Sequence, residues 1–232
     1  MEAIKILVSG HWAHFKKPET NNNPLSHDFI TKTALVGMIG AVLGIEREEM
    51  KKLFPKFCND FLYNVRLINE VKKESWGFTL RKGVNEVSEK APKHMEFLKE
   101  PKYEIIISLK GIESKNYFLD FTTFLKQSKA ICTPVLGLHN CPANIELIEE
   151  MNLSEKKEGP FSTFYFVSKR HELKFDKESI FFGFDRIPTF QNDDFWNLPD
   201  KYIEVIYPFN GKRISVTGEY YESPKDEKLW LI

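Results

Sequence analysis

His11-Trp12-Ala13-His14-Phe15-Lys16-Lys17-Pro18, followed after a polar stretch by Ile30-Thr31-Lys32-Thr33-Ala34-Leu35-Val36-Gly37-Met38-Ile39-Gly40-Ala41-Val42-Leu43-Gly44-Ile45-Glu46, puts a basic, aromatic strand exit directly before an apolar helix. Gly37, Gly40 and Gly44 fall at i, i+3 and i+7 and share one side of that helix. Each glycine costs a helix interior about 1 kcal/mol relative to alanine, so the three predict a face against which another backbone comes close. Lys32 stands in the first turn, at the positive end of the macrodipole, where acidic side chains are favoured. The hydroxyls of Thr31 and Thr33, the free amides of the first turn and the Lys32 ammonium would together make an anion site of phosphate size. The alternative is that Lys32 points into water and the glycines serve sheet packing alone.

Working outward, Ile4 to Ser9 reads as a buried strand, Gly10 to Asp28 as a long polar loop, Thr31 to Leu43 as the first helix and Glu46 to Lys52 as a short second one. Phe61 to Val71 and Tyr103 to Leu109 read as strands. Between them, Lys72 to Lys102 carries eight lysines and arginines against five glutamates, with Trp76, Phe78 and Phe97 interspersed and Gly77 and Gly83 as breakers. It reads as an extruded hairpin or arm. Phe118, Phe121, Phe124 and Leu125 give Tyr117 to Lys126 the spacing of an amphipathic helix. This order approximates an α+β, ferredoxin-like βαββαβ unit, in which two helices cover one face of an antiparallel sheet and leave the other available. Phe161 to Val167 and Ile203 to Phe209 read as further strands, and Asn210-Gly211 between Tyr207 and Ile214 as a hairpin turn. The acidic stretch Glu146 to Glu158 is the candidate boundary. It divides a ferredoxin-like domain of residues 1–150, with the arm at 72–102, from a small, mostly β C-terminal region of residues 151–232.

At 232 residues the chain is long enough for one well-buried domain, or one domain with a small appendage. A hydrophobic share of 42% and a charged share of 28% exclude a disordered chain. Lysine plus arginine equals aspartate plus glutamate at 33 each, so no global basic field exists and any nucleic-acid role rests on local patches. Cys58, Cys132 and Cys141 form no CxxC pair, and their odd number argues against a disulfide framework; the expected compartment is the reducing cytoplasm. No secretory signal is expected, and the longest uncharged apolar run, Ala34 to Ile45, falls short of the roughly 20 residues that span a bilayer. No metal, cofactor or membrane is expected.

Gly211-Lys212 lacks the upstream glycine of a P-loop, and the glycines inside the first helix are not a dinucleotide fingerprint. His11 and His14 flank Trp12 beside Phe15, Lys16 and Lys17, a set suited to stacking a base and holding a phosphate, though equally an ordinary solvated loop. Metal-free RNA cleavage needs one group to deprotonate the 2′-hydroxyl and another to protonate the leaving oxygen. His11, His14, His27 and Tyr63 are candidates by type alone. Cys132-Thr133-Pro134-Val135-Leu136-Gly137-Leu138-His139-Asn140-Cys141-Pro142 has the two prolines and glycine of a rigid surface loop, or of a turn packing Leu136 and Leu138 on the core.

Taken together, the Gly10 strand exit, the Thr31 to Arg47 helix and the Thr133-Pro134-Val135-Leu136-Gly137 loop resemble the Cas5 family of CRISPR-associated RAMP subunits. The resemblance spans roughly the first 145 residues. It implies a ferredoxin-like or RRM-like RAMP domain that holds the 5′ handle of a mature CRISPR RNA (crRNA) inside a type I Cascade surveillance complex. Lys72 to Lys102 then corresponds to the thumb-like arm that reaches the neighbouring backbone subunit. Ile30 stands where many relatives have proline, and Val135 where they commonly have tyrosine, which removes an aromatic contact there. Some members cut precursor crRNA with Tyr, Lys and His residues, but no such trio aligns here, which favours a non-catalytic member, of the type I-B group. The expected RNA contacts are His11, Trp12, His14, Lys16, Lys17, Thr31, Lys32, Thr33, Trp76, Arg81, Lys82, Thr133 and His139. Lys32→Glu is expected to weaken handle binding and leave the fold intact. The expected partners are the handle, the Cascade backbone and large subunits and, through the complex, target DNA. The rival readings are a metal-independent endoribonuclease and a protein-only scaffold.

Overall fold

A computed structural model describes residues 1–81, 90–174, 182–190, 198–209 and 211–232, with the backbone alone at 80, 81, 90 and 91. The chain runs β1 (Glu2–Ser9), β2 (Trp12–Ala13), α1 (Lys32–Leu43), α2 (Arg47–Asp60), β3 (Phe61–Leu67), β4 (Lys72–Arg81), β5 (Lys90–Lys99), β6 (Lys102–Leu109), a 3-10 turn (Ile112–Ser114), α3 (Lys115–Lys126) and β7 (Asn144–Asn152). It continues through β8 (Lys157–Thr163), β9 (Val167–Ser168), β10 (Glu172–Lys174), β11 (Phe182–Phe190), β12 (Lys201–Pro208), β13 (Ile214–Glu222) and β14 (Lys228–Leu229). The central sheet has the order β3-β6-β1-β7, antiparallel throughout, which is the ferredoxin-like arrangement with β4 and β5 inserted as a hairpin.

β1 alternates because both of its faces are used. Ile4, Ile6 and Val8 pack with Leu35, Val36, Ile39 and Val42 of α1 and with Phe118, Phe121 and Leu125 of α3, each burial contributing about 1.5–3 kcal/mol. α1 starts where Thr31 accepts a hydrogen bond from the Ala34 amide, and it stops at Gly44, whose φ of 68° suits a glycine cap. α2 runs eight residues beyond the expected end at Lys52 and contains Pro55. The proline costs one backbone bond, but Met50, Phe54, Phe57 and Cys58 lie on one face and are buried, which outweighs a penalty of about 3 kcal/mol.

The second face of the sheet is not available, contrary to the expectation for a ferredoxin-like unit. Ala3 and Ile106 are covered by Leu153, Tyr165, Leu229 and Leu231. Lys5, on the same face, is buried and bonds Glu227 at 2.5 Å and Glu149 at 3.3 Å. The outer edge of β3 is closed as well, since Ile232 and Tyr63 exchange backbone hydrogen bonds of 2.9 and 3.2 Å, and the Asn64 amide donates to the carbonyls of Phe166 and Trp230. Residues beyond 151 also enter the main core through Phe166, Ile187, Val205 and Tyr207.

Three further expectations are corrected. The acidic stretch from Glu146 is mostly β7, whose residues Ile145 and Leu147 face the helices; a bulge at Ile148 turns Glu149 and Met151 to the other side. Asn210-Gly211 does not join a hairpin, and Asn210 lies outside the described residues. β12 pairs with β11 and β9, whereas β13 pairs with β8, β10 and β14, so the turn closed by the Lys212 amide on the Phe209 carbonyl passes between two sheets. A neighbouring backbone approaches α1 at its C-terminal end, where the Ile131 and Cys132 amides donate to the Val42 and Ala41 carbonyls at 3.0 Å and a Cβ at Gly44 would meet the Ile131 side chain, but not at Gly40, where a Cβ would meet the Met50 side chain, nor at Gly37, where it would meet nothing within 4 Å. Gly37→Ala is therefore expected to raise stability by about 1 kcal/mol, read as a higher urea midpoint at unchanged slope. A lower midpoint would show that Gly37 is needed in the free chain.

Candidate nucleic-acid interface

Residues 10–28, expected to be a polar loop, are partly buried, and Phe15 to His27 forms a hairpin with an exposed tip. Lys16 bridges Ser26, the Lys17 amide donates to the Leu25 carbonyl at 2.8 Å, and the His27 amide to the Phe15 carbonyl at 2.8 Å. Ala13, His14, Phe15, Ser26, His27, Phe29 and Ile30 are all buried. The arm holds this hairpin in place. Lys73 of β4 pairs with Asp28 at 2.7 Å and Glu96 at 3.1 Å and donates to the Ser26 carbonyl; Tyr207 donates to Asp28 at 2.5 Å and Tyr103 to the Asp28 carbonyl at 3.1 Å. Burial alone would lower the Lys73 pKa, but Asp28 and Glu96 more than reverse it and raise it. Lys73→Ala is expected to cost about 1–2 kcal/mol by leaving Asp28 and Glu96 half-paired, measured by urea unfolding. An unchanged midpoint would show that Tyr207 and Tyr103 suffice.

The hairpin also meets the 133–143 loop. The His14 amide donates to the Leu136 carbonyl at 3.0 Å, and Gly137, at φ 91°, passes so close that an added Cβ would sit 1.9 Å from the His14 carbonyl oxygen. These contacts frame a cleft of about 590 Å³. One wall is His14, Lys16 and Asn21, the second Thr31 and Thr33 at the start of α1, the third Lys93 and Met95 of β5; Gly137, Leu138, Pro188 and Pro199 also line it, with an apolar remainder of Phe15, Pro18, Pro24, Ala34 and Phe54. Among the described residues, no carboxylate lines it.

His14 is buried, and burial holds its pKa below the ordinary histidine value. Its Nδ1 lies 2.6 Å from the Glu96 carbonyl, which only accepts, so Nδ1 carries the proton and Nε2 is a bare acceptor without a partner in the protein. Thr31 and Thr33 have hydroxyls 3.1 Å apart, and that of Thr31 also caps α1. Lys16 is exposed, bonded to Asn21 at 3.3 Å.

The remaining expected residues are placed elsewhere. Lys32 does not line the cleft; it is 6% exposed, and burial, with Lys110 and Lys201 adding and Cys58 opposing, lowers its pKa to about 8. Lys17 pairs with Asp185 at 3.3 Å, tying the hairpin to β11. Trp12 and Trp76 pack edge-on at 4.5 Å, with Phe97 and Phe78 beside Trp76, as an aromatic cluster at the arm's base. Thr133, His139 and His11 are exposed and do not line the cleft. Lys82 lies outside the described residues, as does the Arg81 side chain.

Of the four candidates for cleavage chemistry, His14, His27 and Tyr63 are buried and His11 is exposed. Tyr63 is fully buried, its hydroxyl donating to the Ile30 carbonyl at 3.3 Å and its pKa raised by burial. His27, also fully buried, bonds Asp185 through Nδ1 at 2.8 Å. Burial favours neutral Asp185, but His27 and Lys17 reverse this and hold the carboxyl below its ordinary pKa. Among the described residues, no cluster of His, Cys, Asp and Glu could hold a metal, and no helix is long and apolar enough to cross a membrane. Composition had not pointed to Lys93 and Met95. Their alternation with Phe97, opposite Trp76 and Phe78 across the hairpin, puts them on one arm face, a pattern of period two visible in the chain.

The chain is similar over 98% of its length to a CRISPR protein from Archaeoglobus fulgidus, likewise covered over 98%, with 13% identity and a TM-score of 0.59. It is similar over 89% of its length to a chain titled as part of a CRISPR RNA-guided surveillance complex, covered over 90%, with 10% identity and a TM-score of 0.54. No curated protein matches it. The model of the family described as CRISPR-associated protein (Cas_Cas5) matches residues 3–193. With four-fifths of its length under that model and a ferredoxin-like sheet carrying an inserted arm, the chain belongs to the Cas5 family of CRISPR-associated proteins.

Proposed function

We propose that this protein is a non-catalytic crRNA-binding subunit of a cytoplasmic type I Cascade complex, and that its cleft holds the 5′ handle. The observation that carries this reading is the cleft's lining: Lys16 and Lys93 for phosphates, the Thr31 and Thr33 hydroxyls for polar edges and 2′-hydroxyls, and no described carboxylate to repel the backbone. Lys32 adds positive charge from behind the start of α1, keeping most of its proton at pH 7. Thr133, His139 and His11, exposed outside the cleft lining, are then contacts for displaced nucleotides. The arm, whose sequence includes Arg81 and Lys82, reaches the neighbouring backbone subunit, and the large subunit and target DNA are met through the assembled complex. With the ferredoxin sheet covered on both faces, RNA is held at this side cleft and not on the sheet face used by an RRM.

Fluorescence anisotropy with labelled handle RNA tests the reading. Wild-type binding is expected to weaken steeply with salt, and Lys16→Glu with Lys93→Glu to cost about tenfold each and to lower the log–log salt slope by about two. Affinity and slope unchanged in the double variant would contradict it. Incubation of repeat RNA with the protein in EDTA is expected to leave the RNA intact; a discrete cut would make the protein the processing enzyme.

A further inference from the structure

β11 and β12 carry an exposed stripe that the cleft does not use. In their register Phe184 opposes Ile206, Arg186 opposes Glu204 and Pro188 opposes Tyr202, so Phe184, Arg186, Tyr202 and Pro188 share one face. Pro188, itself buried, is the end of that face which lines the cleft. Next to it the Arg186 guanidinium lies 4.3 Å from the centre of the Tyr202 ring, and beyond it Phe184 is 57% exposed and braced edge-on by Phe182 at 5.3 Å. Arg186 makes no ion pair across the strands, because Glu204 is taken by Lys169 at 3.1 Å. An exposed ring and a planar cation without an ion-pair partner among the described residues, about 7 Å apart on one strand face, suit a ligand that is flat, apolar on its faces and negatively charged between them.

We infer that Phe184, Arg186 and Tyr202 are a stacking platform for the bases of single-stranded RNA leaving the cleft past Pro188. This rests on the cleft reading above and extends it to the path of the strand. Guanidinium planes and phenyl faces accept any base, so the platform adds affinity without sequence preference.

The test uses the purified full chain and three RNAs: a handle just long enough for the cleft, and the same RNA extended by a few nucleotides at one end or at the other, with 2-aminopurine in the extension. One extension is expected to bind about tenfold tighter than the short RNA, with quenched 2-aminopurine fluorescence. Phe184→Ala and Arg186→Ala, both at exposed positions, are expected each to remove most of that gain and the quenching while leaving short-RNA affinity unchanged. A gain and quench retained in both variants, or no gain from either extension in the wild type, would overturn the platform and leave the cleft standing. Failure of the wild type to bind either RNA would overturn both. Loss of subunit binding in Phe184→Ala with RNA binding intact would reassign the stripe to a protein partner and overturn the inference.

Discussion

Gly137→Ala is expected to lower stability by about 3 kcal/mol and to abolish handle binding at concentrations where the wild type is saturated. Two independent costs meet at this position. A φ of 91° lies in the region that side chains rarely adopt, and the added Cβ would stand 1.9 Å from a backbone oxygen, that of His14, which cannot turn aside as a side chain could. Relief requires the 133–143 loop to withdraw, which breaks the His14 amide to Leu136 carbonyl bond and removes Gly137 and Leu138 from the cleft wall. Urea unfolding and RNA titration of one preparation check both effects. A midpoint within a few tenths of a kcal/mol of wild type would show that the loop has slack and that the cleft wall is not held at this point.

Lys32→Met is expected to act in the opposite direction, stabilising the protein by roughly 3 kcal/mol at pH 7. The folded state holds the Lys32 pKa at about 8 against the ordinary lysine value of 10.5, chiefly through burial. The unfolded chain therefore binds more protons between those values, so this lysine's penalty is constant below about pH 8, shrinks as pH rises and disappears above about pH 10.5. The stability difference between variant and wild type should follow that course in urea titrations from pH 7 to 10.5. A methionine variant less stable than wild type at pH 7 would mean that the ammonium has a compensating partner. The same burial corrects the expectation that Lys32→Glu leaves the fold intact: a carboxylate at a site 6% exposed carries a desolvation penalty of its own, so the methionine variant is the cleaner probe of any role in RNA binding.

Period and spacing made the ferredoxin-like frame legible. Ile4, Ile6 and Val8 alternate, Phe118, Phe121 and Leu125 follow helical spacing, and the charged, aromatic run from Lys72 announced an arm. What escaped depended on partners distant in sequence. β7 looked like an acidic linker because an edge strand buries only every second residue and Glu149 is neutralised by Lys5 and Lys225. The stretch of residues 10–28 looked solvated because the groups that pair with Asp28 and His27 come from Lys73, Tyr207 and Asp185. Asn210-Gly211 carried a genuine turn signal, yet local turn chemistry does not decide which strands pair. In the candidate site, His14, Lys16, Thr31, Thr33 and the Gly137 loop were legible as separate segments and converge on one cleft. Lys32 was misjudged, because a helix's first turn has a buried side as well as an open one.

The central claim, that RNA occupies the cleft between the 15–27 hairpin, the start of α1 and the arm, is tested most directly by photocross-linking. Handle RNA carrying 4-thiouridine at successive positions is bound to the full chain, irradiated and digested, and the cross-linked peptides are identified by mass spectrometry. The account predicts adducts within residues 11–24, 93–95 and 133–139. Adducts confined to the exposed faces of α2 and α3, with those three segments unmodified at every position, would contradict it.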